Sequence, residues 1–208
     1  MSLDWVAVVP VKALATAKSR LGATSGDRRR ALAGAFAADT VLALRGADAV
    51  RLVVVVCADP TLSAALAAAD VQLLDEPVPG GLNRAAATGI GWAASHHGDA
   101  GVLVVQSDLP ALRPRDIDTV LHRAGAHPRT VVADRDGIGT TMLTGLPGDL
   151  PRPSFGAGSL ARHLSDGAVL LDAADLERAG RDVDTAAHLS QARLLGVGPA
   201  TGQVLRGG

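Results

Sequence analysis

Two aspartates far apart in the chain carry the clearest chemical suggestion. Asp108 stands in Val-Leu-Val-Val-Gln-Ser-Asp-Leu-Pro (102–110), directly after a short apolar run. Asp182 opens Asp-Val-Asp-Thr (182–185), ahead of a stretch with helical patterning. Magnesium takes one or two carboxylates and completes its coordination with phosphate and water. Two acids at two strand ends meet that need, and a nucleotide would supply the phosphates. Asp108 reads equally as a cap for the turn containing Pro110, because Asp is common at such turns. Asp184 and Thr185 read as N-caps of the helix that follows. Asp182 precedes the cap, and a strand-end position would direct it into a cleft.

The second chemical group is cationic. Lys12, Lys18 and Arg20 fall between the first apolar run and the first helical pattern, the phosphate-binding position of doubly wound folds. No glycine occurs between Trp5 and Leu21, so neither a P-loop nor a GxGxxG turn is present. Side-chain cations would share the phosphates with the backbone; the alternative is a solvated basic turn. Arg28 to Arg30 read as a solvated helix face.

Three neutral loops could complete a site. Pro79 to Asn83 (PGGLN) puts flexible backbone and an amide before a helix, suited to a base edge or ribose. Gly137 to Thr141 (GIGTT) and Phe155 to Ser159 (FGAGS) set glycines beside hydroxyls, and the latter runs into a helix start that favours an anion. The six histidines form no pair at metal-ligand spacing, and no Ser-His-Asp or Cys-His pairing can be drawn.

These residues need a scaffold. Val102–Val105 is too short for a helix and rich in β-branched residues, so it reads as a strand buried on both faces. Trp5–Val9, Leu52–Cys57, Val71–Leu74, Thr130–Ala133, Thr140–Leu143 and Val169–Leu171 read as further strands. Helices are expected over about 27–45, 60–69, 84–97 and 113–126, from near Ser159, and as a terminal helix after Asp182. Ser25 or Asp27 would cap the first, Asp59-Pro60 would open the second, and His96-His97 would end the third. The alternation predicts an α/β domain with a mainly parallel sheet and helices on both faces.

Bulk composition agrees. The chain has 208 residues, 48% hydrophobic but only 2% aromatic, so Ala, Val and Leu must build the core. With 20 basic against 21 acidic residues and a formal net charge of -1, a general electrostatic grip on nucleic acid is not expected. The single cysteine, Cys57, lies in an apolar run and reads as a core residue in a reducing compartment. No apolar stretch is long enough for a membrane span, and Val6–Val9 is too short for a signal peptide. A cytoplasmic protein is expected. Oligomeric state is not legible.

Taken together, these stretches resemble the 2-phospho-L-lactate and phosphoenolpyruvate guanylyltransferases of deazaflavin coenzyme F-420 biosynthesis. The resemblance covers nearly the whole chain. Val11–Leu21 resembles the family's Val-Lys-x-Leu-x-x-(Ala/Ser)-Lys-(Ser/Thr)-Arg-Leu segment, its most specific signature. Gly81–Asn83 resembles its Gly/Pro-Leu-Asn loop, and Ser-Asp-Leu-Pro (107–110) its Gly-Asp-Leu-Pro. VADRDGIGTTML, FGAGS and DVDTAAHL follow in the family's order. The resemblance implies one Rossmann-like nucleotidyltransferase domain over 1–208, of the glycosyltransferase-A-like group. It further implies Mg2+ on Asp108 and Asp182. Lys12, Lys18 and Arg20 would meet the triphosphate of GTP, Asn83 the nucleotide, and Thr140, Gly156 and Ser159 a phosphorylated three-carbon acid. Asp108, Lys12 and Lys18 would be the catalytic set. The family often has an acidic residue where this chain has Gly158.

By the same resemblance, phosphoenolpyruvate is the expected acid, with 2-phospho-L-lactate and 3-phosphoglycerate as alternatives. A molybdopterin nucleotidyltransferase would normally carry an LxGGxSxRxG loop, which is absent. A dinucleotide-dependent oxidoreductase lacks its fingerprint. A non-catalytic nucleotide-binding domain would have no need of the two acids and the cationic loop together.

Overall fold

The computed structural model describes residues 3–11, 26–67, 69–76, 80–172 and 175–207. Lys12, Lys18 and Arg20 lie outside the described residues, as does Ser25. In chain order the elements are β1 (Trp5–Val11), α1 (Gly26–Arg45), β2 (Val50–Cys57), α2 (Pro60–Ala67), β3 (Gln72–Asp75), α3 (Leu82–His96) and β4 (Gly101–Val105). There follow α4 (Pro114–Ala124), β5 (Arg129–Ala133), β6 (Thr140–Gly145), α5 (Ser159–Ser165), β7 (Val169–Leu170), α6 (Ala186–Leu195) and α7 (Pro199–Arg206). They form a single α/β domain.

The sheet runs in the order β3-β2-β1-β4-β6-β5-β7. Strands β1 to β4 are mutually parallel, and β6 is antiparallel to both β4 and β5. The reversal has a simple cause: the DRDGIG connection between β5 and β6 is too short for a crossover, so the two strands form a hairpin. Successive strands step from β1 outward to β3, and β4 then returns to the other side of β1. That puts the switch point at the carboxyl ends of β1 and β4, the position at which open α/β sheets bind their ligands.

Alternation along β1 divides the core. Trp5, Ala7, Val9 and Val11 face one layer with Val41, Leu44, Ile117 and Leu121. Val6 and Val8 face the other with Ala85, Ala86, Ile90 and Phe155. Every residue of β4 is buried, as its composition predicts. On the second face α3 lies hard against the sheet because Gly89 has no side chain; a Cβ there would run into Val8. That close seating fixes the amino end of α3, which carries Asn83.

Asp59 caps α2 as expected, its Oδ1 accepting from Thr61 N at 3.0 Å and Leu62 N at 3.2 Å. Cys57 is buried. Among the described residues no helix is long and apolar enough to cross a membrane. One expectation is corrected: α6 is not the terminal helix, because α7 follows it. Buried Asp39 of α1 holds the amino end of α7, accepting from Ala200 N and Thr201 N, each at 2.9 Å. Val204 and Leu205 of α7 then pack on a small cluster of Leu32, Phe36, Ala111, Val183 and Ala192.

Candidate active site

The exit of β4 is tied to the start of β6. Gln106 N donates to Thr141 O at 2.9 Å, and Gln106 Nε2 donates to Thr140 O at 2.6 Å. Three residues on, the turn is pinned from α1: Leu109 N donates to Thr40 Oγ1 at 3.2 Å, and Thr40 Oγ1 donates to Phe36 O at 2.9 Å. Leu109 itself is fully buried. Asp108, between these anchors, is thereby held at the rim of the sheet.

The second acidic segment is bolted to the same turn. Val183 N donates to Asp108 O at 3.1 Å, and the Val183 side chain is fully buried in the cluster with Phe36 and Ala192. In an extended segment alternate side chains point to opposite sides. Burying Val183 therefore turns Asp182 and Asp184 to the same side. Asp108, Asp182 and Asp184 each bring a carboxylate oxygen within 4.8 Å of the others. The Oδ1 atoms of Asp108 and Asp182 are buried, whereas Asp184 is exposed.

Asp184 and Thr185 were both expected as helix caps; the N-cap of α6 is Thr185, whose Oγ1 accepts from His188 N at 3.2 Å. Asp184 lies one residue outside the helix, and its carboxylate joins the acidic cluster. The helix behind it is fixed at its far end, where Arg178 donates to Leu195 O and Arg113 to Gly196 O, both at 2.6 Å. Three carboxylates are a hard, all-oxygen donor set, the chemistry of Mg2+ or Mn2+ rather than of a thiophilic metal. The donor set fits a divalent cation.

Because β6 is antiparallel to β4, its amino end shares the rim with the end of β4. Thr140 opens β6 there, and its buried Oγ1 lies 2.9 Å from His163 Nδ1. His163 Nε2 in turn accepts from Ser154 N at 2.9 Å. The ring is fully buried and stands edge-on to Phe155. Burial depresses the His163 pKa below its ordinary 6.5, the Arg162 charge adds to this, and Asp166 partly opposes it.

The loop that follows Ser154 carries Gly156 and Ser159. Asn83 clasps it through both the oxygen and the nitrogen of its side-chain amide: Phe155 N donates to Oδ1 at 2.6 Å, and Nδ2 donates to Phe155 O at 3.1 Å. Arg162 donates to Ser154 O at 2.8 Å and Ala157 O at 2.7 Å. Gly156 and Gly158 have φ of 125° and 69°, values that glycine adopts without strain. Ser159 is buried, and its Oγ finds no hydrogen-bond partner among the described residues.

Thus the structure brings Asp108 and Asp182 together, and assembles Asn83, Thr140, Gly156 and Ser159 around one loop on the same rim. A nucleotide contact by Asn83 would have to use its second Nδ2 hydrogen or a further lone pair. Sequence reasoning missed Asp184 and His163. The Asp-x-Asp alternation around a valine was the available signal for the first; for the second there was none.

The family of guanylyl transferases described as CofC-like matches residues 5–204. A Streptomyces avermitilis protein named phosphoenolpyruvate guanylyltransferase is 46% identical over 200 residues, covering 96% of this chain and 93% of its own. Among solved structures, a Desulfovibrio desulfuricans G20 protein described as a nucleotide-diphospho-sugar transferase has a TM-score of 0.67 at 15% identity, covering 94% of this chain and 97% of that one. A Mycobacterium tuberculosis H37Rv protein, in complex with manganese, has a TM-score of 0.54 at 17% identity, covering 92% and 98% respectively. The two structures bear on the fold alone. The family match spans both acidic segments and the 154–159 loop: this chain belongs to the CofC-like guanylyl transferase family and is a nucleotidyltransferase.

Proposed function

We propose that this protein transfers the guanylyl group of GTP to the phosphate of phosphoenolpyruvate, giving enolpyruvyl-diphospho-guanosine and pyrophosphate. One observation carries the reading: Asp108, Asp182 and Asp184 converge within 4.8 Å beside the switch point of the sheet. A relative 46% identical over most of the chain, named for that acid, supports the choice of substrate.

In this reading Asp108, Asp182 and Asp184 hold Mg2+, which when bound offsets the negative charge of the triphosphate. Lys12, Lys18 and Arg20 contact the phosphates. Thr140, Gly156 and Ser159 receive the phosphorylated acid, and Asn83 supports the loop while facing the nucleotide side. An oxygen of the acid's phosphate attacks the α-phosphorus of GTP in line. The new P–O bond forms as the bond to the β-phosphate oxygen breaks, and that electron pair leaves with pyrophosphate. A phosphate dianion needs no general base, so the protein's part is to neutralise charge and align two anions that otherwise repel. The reaction would serve an early step of coenzyme F-420 synthesis in the cytoplasm.

The test is pyrophosphate release and product mass with GTP, Mg2+ and each of phosphoenolpyruvate, 2-phospho-L-lactate and 3-phosphoglycerate. Phosphoenolpyruvate should give the fastest release, and Asp108→Ala should abolish it while leaving the circular dichroism spectrum unchanged. Faster release with another acid overturns the substrate assignment. Release with none of them rejects transfer altogether and leaves a nucleotide-binding protein.

A further inference from the structure

His163 touches neither acidic segment, yet it sits where two parts of the acid-binding rim meet. Its two ring nitrogens have different partners, and those partners fix its tautomer. Ser154 N–H can only donate, so Nε2 must offer a lone pair at 2.9 Å. A neutral imidazole then carries its hydrogen on Nδ1. That hydrogen points at Thr140 Oγ1, 2.9 Å away. A hydroxyl that accepts from Nδ1–H keeps its own hydrogen for a second partner.

We propose that His163 is a positioning residue for the phosphorylated acid. By donating to Thr140 Oγ1 it sets that hydroxyl as a donor toward the bound anion, and by accepting from Ser154 N–H it anchors the loop bearing Gly156 and Ser159. The inference rests on reading Thr140 and the 154–159 loop as the acid subsite.

The surroundings are built for this polarity. Phe155 stands edge-on to the ring with centroids 5.3 Å apart, keeping water from it. The adjacent peptide, at Phe155, is clasped by Asn83. Consecutive backbone N–H groups, at 154 and 155, are thus taken by side chains from two different helices. The loop's path toward Gly156 is set before any ligand arrives, which lowers the entropy lost on binding.

Two conservative substitutions separate the two bonds. Asparagine can place its Nδ2 near the Nδ1 position and keep the bond to Thr140; glutamine can place its Oε1 near Nε2 and keep the bond to Ser154. Steady-state kinetics should show His163→Gln raising KM for phosphoenolpyruvate by roughly tenfold or more, the scale of one hydrogen bond to a charged group. KM for GTP should stay within about twofold, because charge-assisted contacts elsewhere hold it. His163→Asn, which keeps the bond to Thr140 and loses the one to Ser154, should raise KM for phosphoenolpyruvate by less than the Gln variant does.

Thr140→Val and Ser159→Ala are measured alongside. If both leave KM for phosphoenolpyruvate unchanged, the acid-subsite reading fails and this inference falls with it. If they raise it while the Gln and Asn variants both leave it unchanged, the reading stands and the role given to His163 is wrong. A measurement on the unaltered protein covers the case in which the variants do not fold. Nitrogen-15 spectra of its histidine rings at neutral pH should show one buried ring protonated at Nδ1 only. An Nε2–H ring there overturns the proposal.

Discussion

Replacing Asp39 by alanine tests how the carboxyl-terminal helix is fastened to the rest of the protein. The side chain is only 4% exposed, and its two oxygens accept from Ala200 N and Thr201 N at 2.9 Å each. These are opening N–H groups of α7, which have no intrahelical acceptor and carry the positive end of the helix dipole. A hydrogen bond involving a charged group contributes about 1.5–3 kcal/mol. Two such bonds share one carboxylate, and water reaches the amides if α7 lifts, so about 3 kcal/mol is the reasonable total. For a chain of this size that lowers Tm by roughly 6–12 °C. Asp39→Asn keeps the shape but sets an N–H donor against an N–H donor, so it should lose about 2 kcal/mol rather than recover. Urea unfolding followed by circular dichroism reads both values. A loss below about 1 kcal/mol in the alanine variant, or an asparagine variant as stable as the parent, would refute the reasoning.

Two further predictions concern the site and its surroundings. Asp184→Asn should weaken Mg2+ binding by at least roughly tenfold, the loss found on removing even an outer partner of a metal ligand; thermal midpoints titrated with MgCl2 should move to higher concentration, and unchanged midpoints would remove Asp184 from the metal site. Because the folded-state pKa of His163 is depressed, the unfolded chain binds its proton more readily, so this histidine's contribution is intact above the ordinary value of 6.5 and is lost as pH falls below it. The added slope is at most about 1.4 kcal/mol per pH unit, and it should vanish in His163→Gln when urea midpoints are compared at successive pH values.

The central strands could be read because dry strands leave a strong local mark. Val102–Val105 and Leu52–Cys57 admit hardly any other reading, and a carboxylate after such a strand is a short list of possibilities. Asp108 followed from that. Asp182 was expected at a strand end, whereas it stands in an irregular segment between β7 and α6 and reaches the site through the Val183–Asp108 backbone bond. Asp184 was not foreseen at the site, because Asp and Thr are both good caps and one residue of phase decides between them. That phase is set by Val183, whose burial against Phe36 involves parts of the chain that sequence order keeps far apart. The helix from Pro199 was hidden for a similar reason: it is short, contains Gly202, and is started by an aspartate 162 positions away from Thr201. The amide of Asn83 was expected to face a ligand, and its clasp on Phe155, 72 positions away, could not be foreseen from local pattern. Local pattern reports which side chains want burial, and it does not report which partners the topology will bring to them.

The reversed direction of β6 also dictates the form of the chain that leaves it. The strand enters at the rim with Thr140 and departs at the opposite edge of the sheet, where Gly145 pairs with Val102. Gly156 and Ser159 nevertheless belong beside Thr140, so the chain from 146 to 158 must travel back the full length of the strand. Six strand residues span roughly 20 Å, which takes at least about six extended residues to cover before any turn is made. Pro147, Pro151 and Pro153 restrict this segment before folding and reduce the disorder it must give up. Its reach is therefore a dimension of the proposed acid pocket: cutting the segment below that reach would pull Gly156 and Ser159 off the rim while leaving the sheet and the acidic cluster in place.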